Sequence, residues 1–372
     1  MKRILLFSRD PGGANAIIPL VKKLQQKYQV LLYGKDYAIE KYNQNKVPYI
    51  DITEVCNVDT EEGVRFFLEK TRPDFIITGT SADDYTEKYM WKIGFELNIK
   101  SFAILDQWVN YGIRFSKYNV SEIEEYHKEK EHDYLPTKIL VMDQYAKEQI
   151  KKEGVSEDRI LVSGQPYFDT LSEEFSRITK ADINLYRKQI GCRDRTILIV
   201  FASEPITSTY KEYDSNSLFW GYTEKTIFAS FSASLNKIAK MKDLDIKVIV
   251  RPHPKEKDNI NTDCNTSNVK YYIDNSSDSK LIMKSADLVC GMSSMFLFEA
   301  AACNIDIASI QIGLAKENPF ILDKKGFINT ILSTDELDTF FIDYFDGRKN
   351  KIKLDLIYGA SANVINFMEE LL

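Results

Sequence analysis

Short runs of Ile, Val and Leu alternate along this chain with longer segments in which apolar residues recur every three to four positions. An unbroken apolar run of four to eight residues predicts a strand, and the three-to-four-residue spacing predicts an amphipathic helix; their regular succession predicts βα units and parallel sheets. In the first half, strands are predicted at Arg3–Ser8, Val30–Tyr33, Pro48–Ile52, Asp74–Thr78, Ser101–Leu105 and Lys138–Met142. Between the first two, Val21, Leu24 and Tyr28 fall on one helical face. Ile160–Ser163 is followed by GQPYFD and then by a polar helical stretch from about Leu171 to Ile190, ending at Gly191, and a domain boundary is expected within that stretch. A second series follows: Thr196–Ala202, a helix around Glu224–Met241, Ile246–Arg251, Val269–Ile273, Asp287–Cys290, a helix over Ser293–Cys303, and Ile305–Ile310.

The predicted fold class is therefore α/β, with two doubly wound, Rossmann-like domains. The first is expected over residues 1–175 and the second over 192–352. A last helix within 353–372 is expected to pack back on the first domain. The length of 372 residues agrees with two domains rather than one. In sheets of this kind ligands sit at the carboxyl ends of the strands, so residues just after strands are the places to look for chemistry.

Composition narrows the classes further. With 44% hydrophobic and 28% charged residues and no long uncharged apolar run, the chain is expected to be soluble and globular, with at most peripheral membrane contact. A net charge of −6 argues against nucleic acid as a partner. The opening MKRILLFS puts two basic residues before an apolar run that stops at Arg9 and Asp10, so it reads as a strand rather than an export signal, and a cytoplasmic protein is expected. Five scattered cysteines with no CxxC pair read as reduced thiols.

The longest segment without an assignment is 107–136, which holds WVNYGIRF and then EIEEYHKEKEHD; a loop of that length inside an α/β domain is often functional. Its charged part reads as a solvated helical face, with His127 and His132 in solvent.

Five places carry candidate chemistry. After the first strand, Asp10-Pro11-Gly12-Gly13-Ala14-Asn15 leads into a helix, and its paired glycines would let backbone N–H groups approach an anion; a tight βα turn needs glycine in any case. Arg251-Pro252-His253-Pro254 follows directly on a strand, and two prolines constrain the backbone around the histidine. Ser293 and Ser294 open a helix after a glycine turn, where free N–H groups and hydroxyls attract anions or simply cap the helix, and Glu299 lies further along it. Asp106 and Glu204, like Asp10, are carboxylates at strand ends and candidates for a general base. Trp108, Tyr111 and Phe115 are aromatic groups with which a sugar could stack, and Arg114 would suit an anionic acceptor or phosphate. No carboxylate triad suited to Mg²⁺ lies at a predicted strand end, and Asp83-Asp84 is expected to open a helix, so no metal is called for.

The order GQPYFD, RPHP, then GMSSM with its following EA resembles the GT-B glycosyltransferase superfamily, including the non-hydrolysing UDP-sugar 2-epimerases. RPHP with the paired serines is similar to the motifs of bacterial sialyl- and polysialyltransferases and of CDP-glycerol glycerophosphotransferases. The resemblance implies two domains facing across a cleft. It implies an inverting, metal-independent transferase with no cofactor, using a nucleotide-activated donor and a carbohydrate acceptor, in surface polysaccharide synthesis. By it, His253, Ser293 and Ser294 bind the donor phosphate, Glu299 meets the ribose, and Asp106 stands where an acidic motif supplies the base. Their places at strand ends put Arg251 and Glu204 on the donor side as well, and Gly12, Gly13, Asn15, Trp108, Tyr111 and Arg114 on the acceptor side, with Asp10 as the other choice of base. The epimerases carry histidine and arginine after the first strand of the second domain, where this chain has SEPITSTY with neither. An epimerase-like enzyme and a catalytically silent nucleotide-binding protein stay open as alternatives.

Overall fold

The computed structural model describes residues 1–210, 219–253, 256, 260–348 and 352–372; Pro254 of the RPHP motif lies outside the described residues. The chain divides into two compact units, Met1–Leu171 with Leu356–Leu372, and Ser172–Asp355.

The first unit runs β1 (Arg3–Ser8), α1 (Pro11–Leu24), β2 (Gln29–Gly34), α2 (Tyr37–Gln44), β3 (Ile50–Asp51), α3 (Glu61–Thr71), β4 (Phe75–Thr78), α4 (Thr86–Glu96), β5 (Lys100–Ile104), α5 (Ile123–Glu129), β6 (Lys138–Val141), α6 (Gln144–Lys152), β7 (Ile160–Val162) and the start of α7 (Pro166–Arg177). Its seven strands are all parallel, in the order β3-β2-β1-β4-β5-β6-β7. Both faces of such a sheet are covered, which is why β1 is apolar at consecutive positions. Ile4 and Leu6 pack toward α1, while Leu5 and Phe7 point to the opposite face with Phe67 and Ile93. Burying each of these apolar side chains contributes about 1.5–3 kcal/mol. β3 is shorter than the predicted Pro48–Ile52. Pro48 has no N–H for a ladder, and Ile52 already begins a tight turn in which the Asp51 carboxylate accepts from the Thr53 N–H at 2.9 Å.

The second unit contains α8 (Lys180–Gln189), β8 (Ile197–Ala202), α9 (Ile206–Tyr210), α10 (Glu224–Met241), β9 (Ile246–Arg251), β10 (Val269–Ile273), α11 (Ser279–Ser285), β11 (Leu288–Gly291), α12 (Met295–Ala302), β12 (Ile307–Ser309), α13 (Ile321–Lys324) and α14 (Thr334–Phe345). Its five strands are parallel in the order β10-β9-β8-β11-β12, over a core that includes Phe201, Phe228, Phe231 and Phe341. The helical stretch expected over 171–190 is in fact two helices, α7 and α8. Thr179 breaks it with a capping box: its hydroxyl accepts from the Asp182 N–H while the Asp182 carboxylate accepts from the Thr179 N–H at 2.8 Å.

The last helix, α15 (Ala360–Leu371), belongs to the first unit, where Val364 and Met368 join the core beside α1. Asp169 of GQPYFD holds its start, accepting from the N–H groups of Gly359, Ala360 and Ser361 at 2.8, 3.3 and 2.9 Å and from the Ser361 hydroxyl at 3.0 Å. Among the described residues no helix is long and apolar enough to cross a membrane.

Candidate active site

In the first unit, β1, β4 and β5 end side by side, and the residues that follow them share one buried, charge-rich place. Asp10 precedes α1 but its side chain does not cap that helix; it pairs with Arg9 at 2.9 Å. Gly12 and Gly13 lie within the first turn of α1, and both are closely approached, Gly12 the more severely. A Cβ on Gly12 would stand 1.8 Å from Asp106 Oδ2, and one on Gly13 would stand 3.2 Å from both the Gly79 Cα and the Ser8 Cβ. The side of Gly12 expected to cradle an external anion is thus filled by the protein's own carboxylate. Asn15, a turn further along α1, is half-buried.

Asp106 is 7% exposed and accepts from Arg114 Nη1 at 3.1 Å, so the two form a buried pair. Burial pushes the Asp106 carboxyl up, the Arg114 guanidinium pulls it down, Asp10 pushes it up again, and the outcome is a raised pKa. Arg114 also donates to the Thr80 carbonyl and hydroxyl and to the Asn110 carbonyl. Two neighbours were not legible beforehand. Glu87 is buried, accepts from the Ser81 N–H, and is pushed well above the carboxylate range by desolvation and then by Asp10. Lys88 donates to the Tyr118 carbonyl at 3.2 Å, and desolvation brings it down to about 8. Glu87 and Lys88 stand in an ordinary helical run, TEKYMW, which carries no signal of their burial.

The aromatic platform expected after Asp106 is not exposed. Trp108 is 5% exposed, stacks on Phe168 with ring centroids 6.3 Å apart, and donates from Nε1 to Asp143 at 2.9 Å. Phe115 is fully buried against Trp91, and Tyr111 is buried as well. These rings act as packing groups, and Arg114 is committed to Asp106 rather than offered to an acceptor. The segment 107–136 is also more tied down than a loop of that length suggests. The Gly112 N–H donates to Glu153 Oε2 at 2.8 Å, and the Tyr126 hydroxyl donates to the same oxygen at 2.7 Å and meets His132 Nε2 at 3.1 Å. His132 is consequently half-buried, not solvated, and burial lowers its pKa; His127 is exposed on α5. Asp84 of the aspartate pair does help open α4, accepting from the Thr86 N–H at 2.9 Å, and it pairs with Lys35 at 2.7 Å.

In the second unit, β8, β9 and β11 end together and bring Glu204, Arg251-Pro252-His253 and Ser293-Ser294 to one edge. α12 begins at Met295, two residues later than expected, because Ser294 is its cap: the hydroxyl accepts from the Phe296 N–H at 3.0 Å. Ser293 faces Glu204 instead. Its N–H donates to Glu204 Oε1 at 2.6 Å and its hydroxyl to Oε2 at 3.0 Å. Burial pushes the Glu204 carboxyl up; the donors on Ser293 and the Ser294 N–H oppose this, the Glu256 charge adds to it, and the carboxyl ends at about 7.

Glu256 accepts from the Ser203 hydroxyl at 2.6 Å and from the His253 N–H, and burial raises it too. It went unpredicted, although a carboxylate three residues after His253 has the spacing of a side chain that turns back on the main chain. Glu224 accepts from the Thr207 N–H and hydroxyl, both at 2.9 Å. The Arg251 guanidinium turns away toward the Asp274 and Ser277 carbonyls at 3.4 and 3.0 Å. Glu299 is half-buried on α12, where its charge acts on Cys303. Among the described residues no cluster of three or more His, Cys, Asp or Glu is placed to hold a metal ion.

Part of the chain, including the second of these edges, matches a known family. Residues 112–301, just over half the chain, fit the sequence profile of the CDP-glycerol:poly(glycerophosphate) glycerophosphotransferases, and the matched stretch holds Arg114, Glu204, His253, Ser293, Ser294 and Glu299. The chain belongs to that family. This member of the glycerophosphotransferases shares its fold with a UDP-GlcNAc 2-epimerase from Neisseria meningitidis solved with UDP-GlcNAc, at a TM-score of 0.67 and 13% identity over 100% of both chains. The same enzyme from Methanocaldococcus jannaschii is similar at 0.67 and 12%, again over 100% of both. A glycosyltransferase from Rickettsia africae is similar at 0.58 and 13%, over 98% of this chain and 93% of that one. At such identities the likeness shows the fold alone. No curated protein matches the chain by sequence.

Proposed function

We propose that this glycerophosphotransferase-family protein moves a glycosyl or polyol-phosphate group from a nucleotide-activated donor to a carbohydrate acceptor, with inversion and without a metal ion, in the building of a surface polymer. The observation that carries the reading is that the family match runs through both the His253 and the Ser293-Ser294 strand ends. The donor phosphate is assigned to the second unit, at the Ser293 N–H and hydroxyl and the His253 ring, with Glu299 on the ribose. Those donors stabilise charge as it develops on the departing phosphate. Arg251 braces the turn after β10 from this position rather than meeting the donor.

The base is assigned to Asp106. A base must be ionised before reaction and must accept a proton during it. Arg114 keeps the buried carboxylate ionisable while desolvation raises its proton affinity, and both are needed near neutral pH. Asp10 is the weaker choice because Arg9 already pairs with it. An epimerase-like reaction has less support: SEPITSTY supplies neither histidine nor arginine at the second unit's first strand end.

The deciding experiment incubates the protein with CDP-glycerol and a panel of nucleotide-sugars and follows released nucleotide and the sugar product. Release that depends on an added acceptor supports transfer, and an epimerised sugar without an acceptor overturns it. His253→Ala is expected to lower turnover about a hundredfold or more, since losing one donor at a developing anion costs about 2.7–4 kcal/mol. Near-normal turnover in that variant would make the histidine structural.

A further inference from the structure

The second unit raises a contradiction. The Ser293 N–H and hydroxyl assigned to the donor phosphate are already taken, and by a carboxylate of the chain itself. Glu204, from the end of β8, receives the Ser293 N–H at 2.6 Å and the Ser293 hydroxyl at 3.0 Å. Glu256, from beyond β9, receives the His253 N–H and the Ser203 hydroxyl at 2.6 Å. A carboxylate and a phosphate oxygen ask for the same donors, so the two cannot share them. Two like charges brought together at one edge also repel each other, an arrangement that costs free energy.

Resting on the donor-site assignment above, we infer that Glu204 sets the affinity for the donor by standing in for its phosphate: the carboxylate holds Ser293 while the site is empty and releases it, with uptake of one proton, when the phosphate arrives. Glu204 is therefore a competitor for the donor rather than one of its ligands.

The groups around it favour release as a neutral acid. The charge acting on Glu204 is that of Glu256, which is in turn influenced by Glu224 on α10, while Arg251 on β9 is directed at the Asp274 and Ser277 carbonyls. His253 contributes its N–H to Glu256 on the same edge. A phosphate dianion adds negative charge to this place, which drives a proton onto the nearest carboxylate; with Glu204 already raised to about 7, the proton comes from solvent at neutral pH. The affinity then follows the protonated fraction. Between pH 7 and pH 8.5 that fraction falls from about a half to about 3%, so the apparent Kd rises roughly fifteenfold.

The test is calorimetric titration of the full-length protein with CDP and, separately, with inorganic phosphate at pH 7 and 8.5, in buffers of different ionisation enthalpy. Wild-type protein is expected to take up about half a proton per CDP at pH 7 and close to one at pH 8.5, and to bind roughly fifteenfold more weakly at the higher pH. Glu204→Gln is expected to bind CDP about thirtyfold more tightly than wild type at pH 8.5 and about twofold more tightly at pH 7, with no proton uptake and little change between the two pH values. Glu204→Asp, which keeps the charge but shortens the reach to Ser293, should fall between them, and it decides the matter if the glutamine variant does not fold. Binding of CDP that Glu204→Gln weakens or leaves unchanged overturns the inference and leaves the donor assignment standing. If no variant binds CDP or phosphate, the donor assignment itself fails, and the inference with it.

Discussion

The carboxyl ends of the two sheets solve one structural problem in two ways. In each, an acidic side chain from a strand end reaches the start of a helix belonging to another βα unit. Asp106 comes down on Gly12 of α1, and Glu204 takes the N–H of Ser293 just ahead of α12. In the first unit a guanidinium accompanies the acid: Arg114 sits 3.1 Å from Asp106 and is itself buried. In the second, the charge acting on Glu204 is another carboxylate, Glu256. The difference teaches that a helix start does not by itself define an anion site. Whether the place keeps a fixed charge or exchanges one depends on what stands behind the acid. A carboxylate beside a guanidinium is suited to remain in position as a base, and one beside another carboxylate is suited to leave.

The comparison can be broken most severely at Asp106. Asp106→Asn preserves shape but cannot accept a proton, so turnover is expected to fall by about a hundredfold to ten-thousandfold while CDP binding stays within a few-fold of wild type. Single-turnover kinetics beside calorimetry separates the two. If Asp106→Asn stays active and Asp10→Asn does not, the base lies at the first helix start.

A smaller but still large effect is expected from Arg114→Met. Removing one partner of a buried pair leaves an uncompensated charge and costs about 3–5 kcal/mol. The sign with pH is specific. Without Arg114 the folded-state pKa of Asp106 rises further, and a carboxyl raised on folding lowers stability progressively as pH climbs from the unfolded value toward the folded one. Denaturant titrations should therefore find the variant closest to wild type near pH 5 and furthest from it near pH 8. Adding Asp106→Asn to Arg114→Met should recover part of the loss; a double variant no more stable than the single one would mean the arginine matters for its bonds to Thr80 and Asn110.

The smallest effect sharpens the contrast from the other side. Glu204 is raised above its unfolded value to about 7, so its ionisation lowers stability as pH rises from about 4.5 through 7. Glu204→Gln should raise the melting temperature by a few degrees at pH 8 and change it little at pH 5. An equal shift at both pH values would show that packing, not charge, is responsible.

The strands were legible because burial on both faces of a parallel sheet leaves a continuous apolar run that needs no tertiary information to see. Arg3–Ser8, Ile246–Arg251 and Val269–Ile273 stand where the pattern places them. Ends of elements were less legible where a side chain competes with the backbone: Ser294 delays α12, and Thr179 divides the stretch before β8. Asp169 shows a motif residue whose work is structural. Its carboxylate caps α15 almost two hundred residues away, a pairing no local pattern announces.

What the sequence alone determined is the succession of βα units, the strand ends at which Asp10, Asp106, Glu204, His253 and Ser293 stand, and the motif order that points to a nucleotide-using transferase. Those follow from local periodicity and from residue types adjacent in the chain. What only the tertiary structure decided is which of those groups meet. Trp108 and Phe115 became packing because the neighbouring helices close over them, and Arg114 was drawn to Asp106 by a turn that brings residue 114 back to the strand end. Glu204 and Ser293 lie 89 residues apart, and they touch because β8 and β11 are neighbours in the sheet. Strand order is a property of the whole packed unit, set by covering both sheet faces at once, so the partner of a charged group at a strand end emerges only when the sheet is complete.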